Sequence, residues 1–208
     1  LVGAGSAVPP TVVTNNDLAQ FLDTSDEWIR SRTGISQRHV IQGDETLTDL
    51  CLQASQNALA MAQVSGEEIG LILVATATPD ERYPATAARL QQHLKANKAF
   101  GFDISLACTG FAAALQTATQ FLKAGTVDIA LVVGADAHSR VMDWTDRNTC
   151  VLFGDAAGAV VLKRCNMAEN GLLSFDANLD GALGSELAAQ VTYGHYPLVP
   201  APTHVDLT

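Results

Sequence analysis

The amino-acid sequence predicts an α/β fold in which helices cover both faces of a mixed, mostly parallel central sheet. Short runs rich in apolar β-branched residues alternate with segments of helical period along most of the chain, a pattern typical of strand–helix–strand units. The 208 residues are 48% hydrophobic and only 16% charged. This composition suits a core that is buried on both faces of a sheet.

The clearest strands are predicted at residues 70–76 and 128–134, which are near-continuously apolar. We expect both to be central in the sheet, because strands buried on two faces lack polar alternation. Residues 100–106 form a third strand. Further short runs also read as strands: residues 1–5, 150–153 and 158–162. A close-packed turn is expected at residues 154–158, and the strand at the start of the chain suggests further residues upstream.

Three helices are predicted between the strands. The first spans about residues 46–66 and opens with a threonine and an aspartate at capping-box spacing. The second covers residues 85–94. The third covers residues 109–123, buries an apolar face that includes Phe111, and is followed by Gly125 in the place of a C-terminal cap.

Charge and composition exclude several classes of function. A net charge of −10 without any Lys/Arg cluster argues against nucleic acid as a partner, although a small basic pocket for an anionic ligand remains open. No long apolar run and no signal-peptide-like start occur, so we expect a cytoplasmic protein without membrane insertion. The four cysteines show no Cys-x-x-Cys pair and no histidine at ligand spacing, which disfavours zinc and disulfides. They are Cys51, Cys108, Cys150 and Cys165.

Cys108 lies where a predicted strand meets a predicted helix. A thiol at such a junction faces backbone N–H groups and the positive end of the helix dipole, which favour the thiolate. A thiolate is the form that attacks a thioester. The alternative is a small buried core residue, which describes most free cysteines. The other three cysteines fall within a helix, a strand and a polar turn, and we interpret them as structural.

Residues 23–35 form the second unusual segment. A hydroxyl cap followed by acidic residues predicts a helix start, and Trp28 and Arg32 stand four residues apart on one face of that helix. An indole can stack on a purine while a guanidinium binds phosphate. An exposed tryptophan covered by an arginine stem explains the pair equally well from the residues alone.

A loop arginine, Arg147, can also reach an anionic ligand. A salt bridge to its neighbour Asp146 is the more common explanation of such a pair. The glycine-rich run at residues 154–158 lies between strands and lacks the Gly-x-Gly-x-x-Gly order of a phosphate loop. None of the five histidines has an obvious catalytic neighbour.

Together these segments resemble the β-ketoacyl-[acyl-carrier-protein] synthase III family over nearly the whole chain. The most specific parts are residues 23–35 followed by Gln37-Arg38-His39, 106–111, 132–136, 145–147 and 153–159. The resemblance implies a thiolase-like fold of two similar halves that works as a homodimer. Residues 1–208 would form the first half, with residues 181–208 an irregular segment leading toward the second.

The resemblance also implies the chemistry. Cys108 would take an acyl group from acyl-CoA and pass it to malonyl-acyl-carrier-protein, which decarboxylates as it attacks. Coenzyme A is then a substrate, and no cofactor or metal is permanently bound. The family positions matching Thr24, Trp28, Arg32 and Arg147 bind coenzyme A. Tyr83, where the family commonly has Phe, would reach the acyl tunnel of the partner subunit.

Three features depart from the family pattern. Asn148 and Ala156 each stand where Gly is usual, and the family's catalytic His and Asn have no matching motif before Thr208. His195 and His204 are not assigned to that role. The alternatives are a related synthase with another primer, for polyketide, quinolone or long-chain ketone formation, and a noncatalytic partner subunit, which is expected to lack the thiol.

Overall fold

The structure is a computed structural model that describes residues 1–165, 171–184 and 188–189. The chain divides into two compact units, Leu1–Asp176 and Ala177–Thr208. Every α-helix and β-strand of the described residues lies in the first unit. The described part of the second contains one 3₁₀ turn, Gly181–Leu183, in which Asp180 Oδ1 accepts a hydrogen bond from Ala182 N–H at 3.0 Å. Most of the predicted irregular segment lies outside the described residues.

Seven strands and five α-helices make up the first unit. The strands are β1 Gly3–Ala7, β2 Val12–Thr14, β3 Gln37–His39, β4 Leu71–Ala75, β5 Phe100–Ile104, β6 Ile129–Ala137 and β7 Asp155–Lys163. The helices are α1 Asn15–Leu18, α2 Asp26–Thr33, α3 Leu47–Ala62, α4 Thr86–His93 and α5 Gly110–Lys123. The three helices predicted between the strands correspond to α3, α4 and α5, and the helix start predicted in residues 23–35 corresponds to α2.

Five of the strands form one mixed sheet in the order β1-β7-β6-β4-β5. Strands β5, β4 and β6 are parallel to one another, whereas β7 runs antiparallel to both β6 and β1. Strand β7 can reverse direction because the described chain between it and β6 contains only short 3₁₀ turns and no crossover helix. The predicted α/β fold class is confirmed, and β4 and β6 are interior strands as expected.

The sheet is covered by helices on both faces. Alternate residues of β4 point to opposite sides, so that Ile72 packs with α3 and α4 while Leu71 packs with α5. Both residues are fully buried. This arrangement gives the predicted layers of helix, sheet and helix. No α-helix among the described residues is long and apolar enough to cross a membrane.

Helix α3 begins as its sequence predicts. Thr46 Oγ1 accepts from the Asp49 N–H at 3.0 Å, and Asp49 Oδ2 accepts from the Thr46 N–H at 3.0 Å, which completes the capping box. The helix ends at Ala62, before the predicted Gly66, because Gln63 turns into the left-handed region with φ 54°. The next residues form a separate 3₁₀ turn, Gly66–Glu68.

The predicted strand at residues 150–153 is wrong. Cys150–Leu152 is a 3₁₀ turn, in which the Leu152 N–H bonds to the Thr149 carbonyl at 3.0 Å. A four-residue apolar run cannot distinguish a buried turn from a strand. The close-packed turn predicted at residues 154–158 is also wrong, because β7 begins at Asp155 and the small residues that follow pair with β1 and β6.

A second, two-stranded sheet of β2 and β3 was not predicted. Strands of three residues are too short to show a period. They pack beside a small apolar cluster that includes Leu18, Ile29 and Val151.

Strand β1 lies very close to α3. A Cβ added at Gly5 would be 2.4 Å from the Ala54 carbonyl oxygen and 2.5 Å from the Ala58 nitrogen, both of which are backbone atoms. Only a residue without a side chain fits at this distance.

We therefore expect Gly5→Ala to lower the free energy of unfolding by about 1–3 kcal/mol, since overpacking a close contact forces the backbone apart. Urea denaturation of the purified protein measures it. Gly158→Ala is the matched control, because no heavy atom lies within 4 Å of a Cβ at Gly158 in β7. Equal effects of the two substitutions would contradict the proposed packing of β1 on α3.

Candidate active site

Cys108 lies in a tight turn between β5 and α5. The turn is the 3₁₀ segment Ala107–Thr109, and α5 begins at Gly110. The Thr109 N–H and hydroxyl both donate to the Leu106 carbonyl, at 3.3 and 3.1 Å. The thiol is exposed. The strand–helix junction predicted from the sequence is thus confirmed, with the helix starting two residues after the cysteine.

The backbone on both sides of Cys108 is unusual. Ala107 has φ +42°, which a residue with a Cβ rarely adopts. Strain of this kind persists only where the surrounding structure imposes it, and it is concentrated at functional sites. On the other side, a Cβ added at Gly110 would be 3.1 Å from the Ala75 Cβ of β4. The helix start is thus pressed against the sheet, and this fixes the direction of the thiol.

Cys108 opens onto a cavity of about 520 Å³ near the carboxyl ends of β4 and β6. Its wall consists mostly of small residues: Ala4, Gly5, Ala75, Ala107, Gly134, Ala135, Ala156, Ala157, Gly158 and Ala159, with Phe111, Asp136 and Val160. Phe111 was expected to be buried but is 36% exposed, because its ring, which packs against Gly134, also lines the open cavity. An apolar cavity beside an exposed thiol can hold a small acyl group.

Asp136 is the acidic group of the cavity wall. Its Oδ1 accepts from the Ala77 N–H at 2.8 Å and from the Thr78 hydroxyl at 2.9 Å, and its Oδ2 lies 3.8 Å from His138 Nε2. The histidine ring also lies against Phe153, with ring centroids 4.8 Å apart. His138 therefore has an acidic neighbour that the sequence did not reveal. The carboxylate is already engaged by the loop after β4, so it serves to hold that loop.

Trp28 and Arg32 lie on α2 as predicted. Ser25 is the N-cap, with its Oγ accepting from the Trp28 N–H at 3.1 Å. The Arg32 guanidinium carbon lies 4.4 Å from the Trp28 ring centroid, a cation–π distance. Trp28 packs its inner part against the apolar cluster that contains Ile29.

Arg147 joins this pair from a distant part of the chain. Its guanidinium carbon lies 4.7 Å from the Trp28 ring centroid, and its Nη1 bonds to the carbonyl oxygen of Asp23. The Asp23 carboxylate is 3.4 Å away. The expected salt bridge to Asp146 is wrong, because that carboxylate accepts from the Thr149 hydroxyl and the Asn148 N–H.

Thr24 lies between Asp23 and the N-cap of α2. Its hydroxyl oxygen is buried and has no hydrogen-bond partner among the described residues. A buried hydroxyl without a partner is costly. Thr24, Trp28, Arg32 and Arg147 are thus gathered at one place, which has two guanidinium groups, an indole and a buried, unpartnered hydroxyl.

Tyr83 stands apart from both places. Its side chain is 86% exposed and precedes Pro84 in a cis peptide bond. The loop that carries it is held by Asp80, which accepts from the Thr48 N–H at 2.8 Å and from Arg140 Nη1 at 2.6 Å. Tyr83 does not line the Cys108 cavity.

The other cysteines differ sharply from Cys108. Cys51 and Cys150 are fully buried. Burial raises the pKa of both thiols, and nearby carboxylates add to the effect, those of Asp80, Asp103 and Asp136 for Cys51 and that of Asp146 for Cys150. Cys165 is exposed and follows β7. No group of three His, Cys, Asp or Glu side chains that could hold a metal ion occurs in the described part of the chain.

Two residues of the site were missed by sequence reasoning. Asp23 lies at the start of the segment that was singled out, but its contact with Arg147 depends on residues 124 positions apart, and no local pattern reports such a distance. The strained conformation of Ala107 could not be predicted from the sequence, because the strain lies in the backbone and not in the residue type. The departures Asn148 and Ala156 fit where they stand, in the turn after Arg147 and in the cavity wall.

Known proteins resemble this chain in both sequence and fold. Residues 102–181 match the family described as 3-oxoacyl-[acyl-carrier-protein] synthase III. A β-ketoacyl-[acyl-carrier-protein] synthase III of Prochlorococcus marinus (strain MIT 9313) is 51% identical over 204 residues, which cover 98% of this chain and 60% of that protein.

Solved structures show the same similarity. The synthase III of Thermus thermophilus matches with a TM-score of 0.87 and 39% identity, covering 95% of this chain and 61% of its own. The priming β-ketosynthase of the R1128 polyketide biosynthetic pathway matches with a TM-score of 0.78 and 36% identity, covering 80% of this chain and 50% of its own. Nearly all of this chain matches these two synthase III proteins, and it spans about 60% of their length.

The exposure of the four thiols predicts their reactivity. We expect iodoacetamide at neutral pH to alkylate Cys108 and Cys165 and to spare Cys51 and Cys150, which are buried and have raised pKa values. Peptide mass spectrometry before and after unfolding in urea measures each site. Alkylation of Cys51 in the folded protein, or protection of Cys108, would contradict the described environment.

Proposed function

The chain belongs to the β-ketoacyl-[acyl-carrier-protein] synthase III family of the thiolase superfamily and corresponds to its N-terminal portion, and on that premise we propose that Cys108 is the acyl-accepting nucleophile of a condensing enzyme. The observation that carries the proposal is the exposed thiol held in a strained strand–helix turn above a small apolar cavity. The acyl donor is a short acyl-CoA, and the acceptor is malonyl-acyl-carrier-protein. The reaction would start fatty-acid synthesis in the cytoplasm.

The acylation step needs only a reactive thiol and space beside it for the acyl group. The Cys108 thiolate attacks the thioester carbonyl, its new carbon–sulfur bond forms, and the bond to the coenzyme A sulfur breaks. The departing thiolate takes up a proton, so that the products are S-acyl-Cys108 and free coenzyme A. No oxidant, metal or bound cofactor enters this balance.

The condensation half-reaction requires other groups than the acylation step. Decarboxylation of the malonyl group creates an enolate, whose charge requires hydrogen-bond donors placed in advance. In the family a His and an Asn supply them, and the 208 residues contain no matching motif. We therefore assign acylation to Cys108, and assign condensation to a protein that also supplies the family's His and Asn.

Coenzyme A is proposed to bind at Trp28. An adenine that stacks on the indole displaces one of the two guanidinium groups now lying over the ring, and Arg32 or Arg147 is then free to contact phosphate. The Thr24 hydroxyl is buried and has no partner in the part of the chain that the structure describes, and we propose that it bonds to a polar atom of the nucleotide once a guanidinium has moved off the indole. Tyr83, exposed on a well-held loop, is proposed to reach the acyl site of a second subunit in a homodimer.

The nucleophile is tested by incubating the intact protein with radiolabelled acetyl-CoA. We expect one label per chain, stable to denaturation and released by hydroxylamine, because a thioester forms at Cys108. Cys165→Ala is the matched control, since it removes the other exposed thiol. Absence of label, or label that survives in Cys108→Ala, would overturn the assignment and would favour a noncatalytic subunit.

The coenzyme A site is tested with Arg32→Ala. Loss of a charge-assisted contact is expected to weaken coenzyme A binding by about tenfold, with little change in the maximal rate of acylation. Isothermal titration measures it. Arg30→Ala serves as the control, because that arginine lies on the same helix but pairs with Asp26 at 3.0 Å. Unchanged affinity in Arg32→Ala would count against the site.

A second candidate shares the chemistry but uses another primer. The similarity to the priming ketosynthase of a polyketide pathway favours it. A panel of acyl-CoA thioesters of increasing length, scored by the rate of Cys108 acylation, separates the two. Preference for acetyl-CoA supports fatty-acid initiation, and preference for longer acyl groups supports the alternative.

A further inference from the structure

Arg38 is a buried arginine without a carboxylate partner among the described residues. It lies in β3 and is only 5% exposed. Its Nη1 donates to the Val13 carbonyl at 3.3 Å, and its Nη2 donates to the Val151 carbonyl at 3.0 Å. Its Nε has no partner in the described chain. A buried guanidinium that binds only carbonyl oxygens has no carboxylate to compensate the cost of burying its charge. Fold stability alone therefore does not explain why an arginine occupies this position.

The two carbonyls belong to two segments that pack beside the Trp28 site. Val13 lies in β2, which leads into α1, and it packs in the apolar cluster with Trp28 and Ile29 of α2. Val151 lies in the turn that follows Arg147, and it packs in the same cluster. One guanidinium therefore bridges the strand β2, which packs in the same cluster as Trp28 of α2, and the turn that follows Arg147.

The position of Arg38 leaves it little freedom. A Cβ added at Gly154 would be 2.9 Å from the Arg38 Cβ, so the chain after the turn passes directly over the arginine. Burial lowers the pKa of Arg38, and the adjacent Cys150 opposes that shift. The side chain is confined by the chain at Gly154 and is held in one orientation by its two carbonyl acceptors.

We infer that Arg38 is a positioning residue for the nucleotide end of coenzyme A, because it fixes Trp28 of α2 and Arg147 of the loop in register with each other. The inference rests on the proposed function. It assigns no role to Arg38 in the chemistry at Cys108. Arg38 therefore affects the use of substrates that carry the nucleotide and not of those that lack it.

The test compares two acyl donors on the intact protein, acetyl-CoA and S-acetyl-pantetheine, which carries the same thioester without the nucleotide. In Arg38→Met we expect KM for acetyl-CoA to rise about tenfold with kcat changed less than about twofold, as for loss of uniform binding. Acylation of Cys108 by S-acetyl-pantetheine is expected to stay within about twofold of the wild type. Arg30→Met, on the exposed face of α2, should change neither donor.

The outcomes are distinct. An equal loss of Cys108 acylation with both donors in a folded Arg38→Met protein would indicate a general structural role and would overturn the inference. An unchanged KM for acetyl-CoA would also overturn it. If Arg38→Met gives no cooperative thermal transition, Arg38→Lys, which keeps the charge, is used for the same comparison of the two donors. An equal loss of acylation with both donors in Arg38→Lys would also overturn the inference. A wild-type protein that neither donor acylates would instead refute the proposed function.

Discussion

The turn that carries Cys108 depends on how closely α5 approaches the sheet. Gly110 lets the first turn of α5 lie against Ala75 of β4, at a distance that a Cβ would reduce to 3.1 Å. The chain must leave β5 and enter the helix within a few residues, and the left-handed Ala107 is the consequence. The thiol is therefore directed by backbone geometry, which packing maintains. The cavity in front of it is lined by Ala75 of β4 and by residues of β1, β6 and β7.

The loops around this turn are held by carboxylates that accept backbone N–H groups. Asp80 receives the first N–H groups of α3 at 3.0 and 2.8 Å, and Asp103 receives those of α4 at 2.7 and 2.9 Å. Asp136 holds the loop after β4, and Asp155 accepts from the Ser139 N–H at 2.8 Å. Charge-assisted bonds of this kind satisfy helix starts that would otherwise be unpaired.

The sequence predicted what local patterns encode. Buried strands β4 and β6, the capping box at Thr46 and the cysteine at a strand–helix junction all follow from residue types at short spacing. The turn Cys150–Leu152 was misread because four apolar residues carry no period, and the bond that it makes with Arg38 joins residues 113 positions apart. The contact of Arg147 with Asp23, rather than with adjacent Asp146, is likewise set by tertiary packing. Sequence reasoning thus singled out the exposed thiol at the strand–helix junction and the Trp28 face of α2, but it could not find the contacts that hold them.

The central claim is that Cys108 is the residue that accepts the acyl group, and protection from alkylation tests it most directly. The intact protein is incubated with acetyl-CoA, passed through a desalting column and treated with iodoacetamide, with Cys165 of the same molecule as the internal reference. We expect Cys108 to be protected by acylation and Cys165 to be alkylated as before. Alkylation of Cys108 to the same extent with and without acetyl-CoA would contradict it.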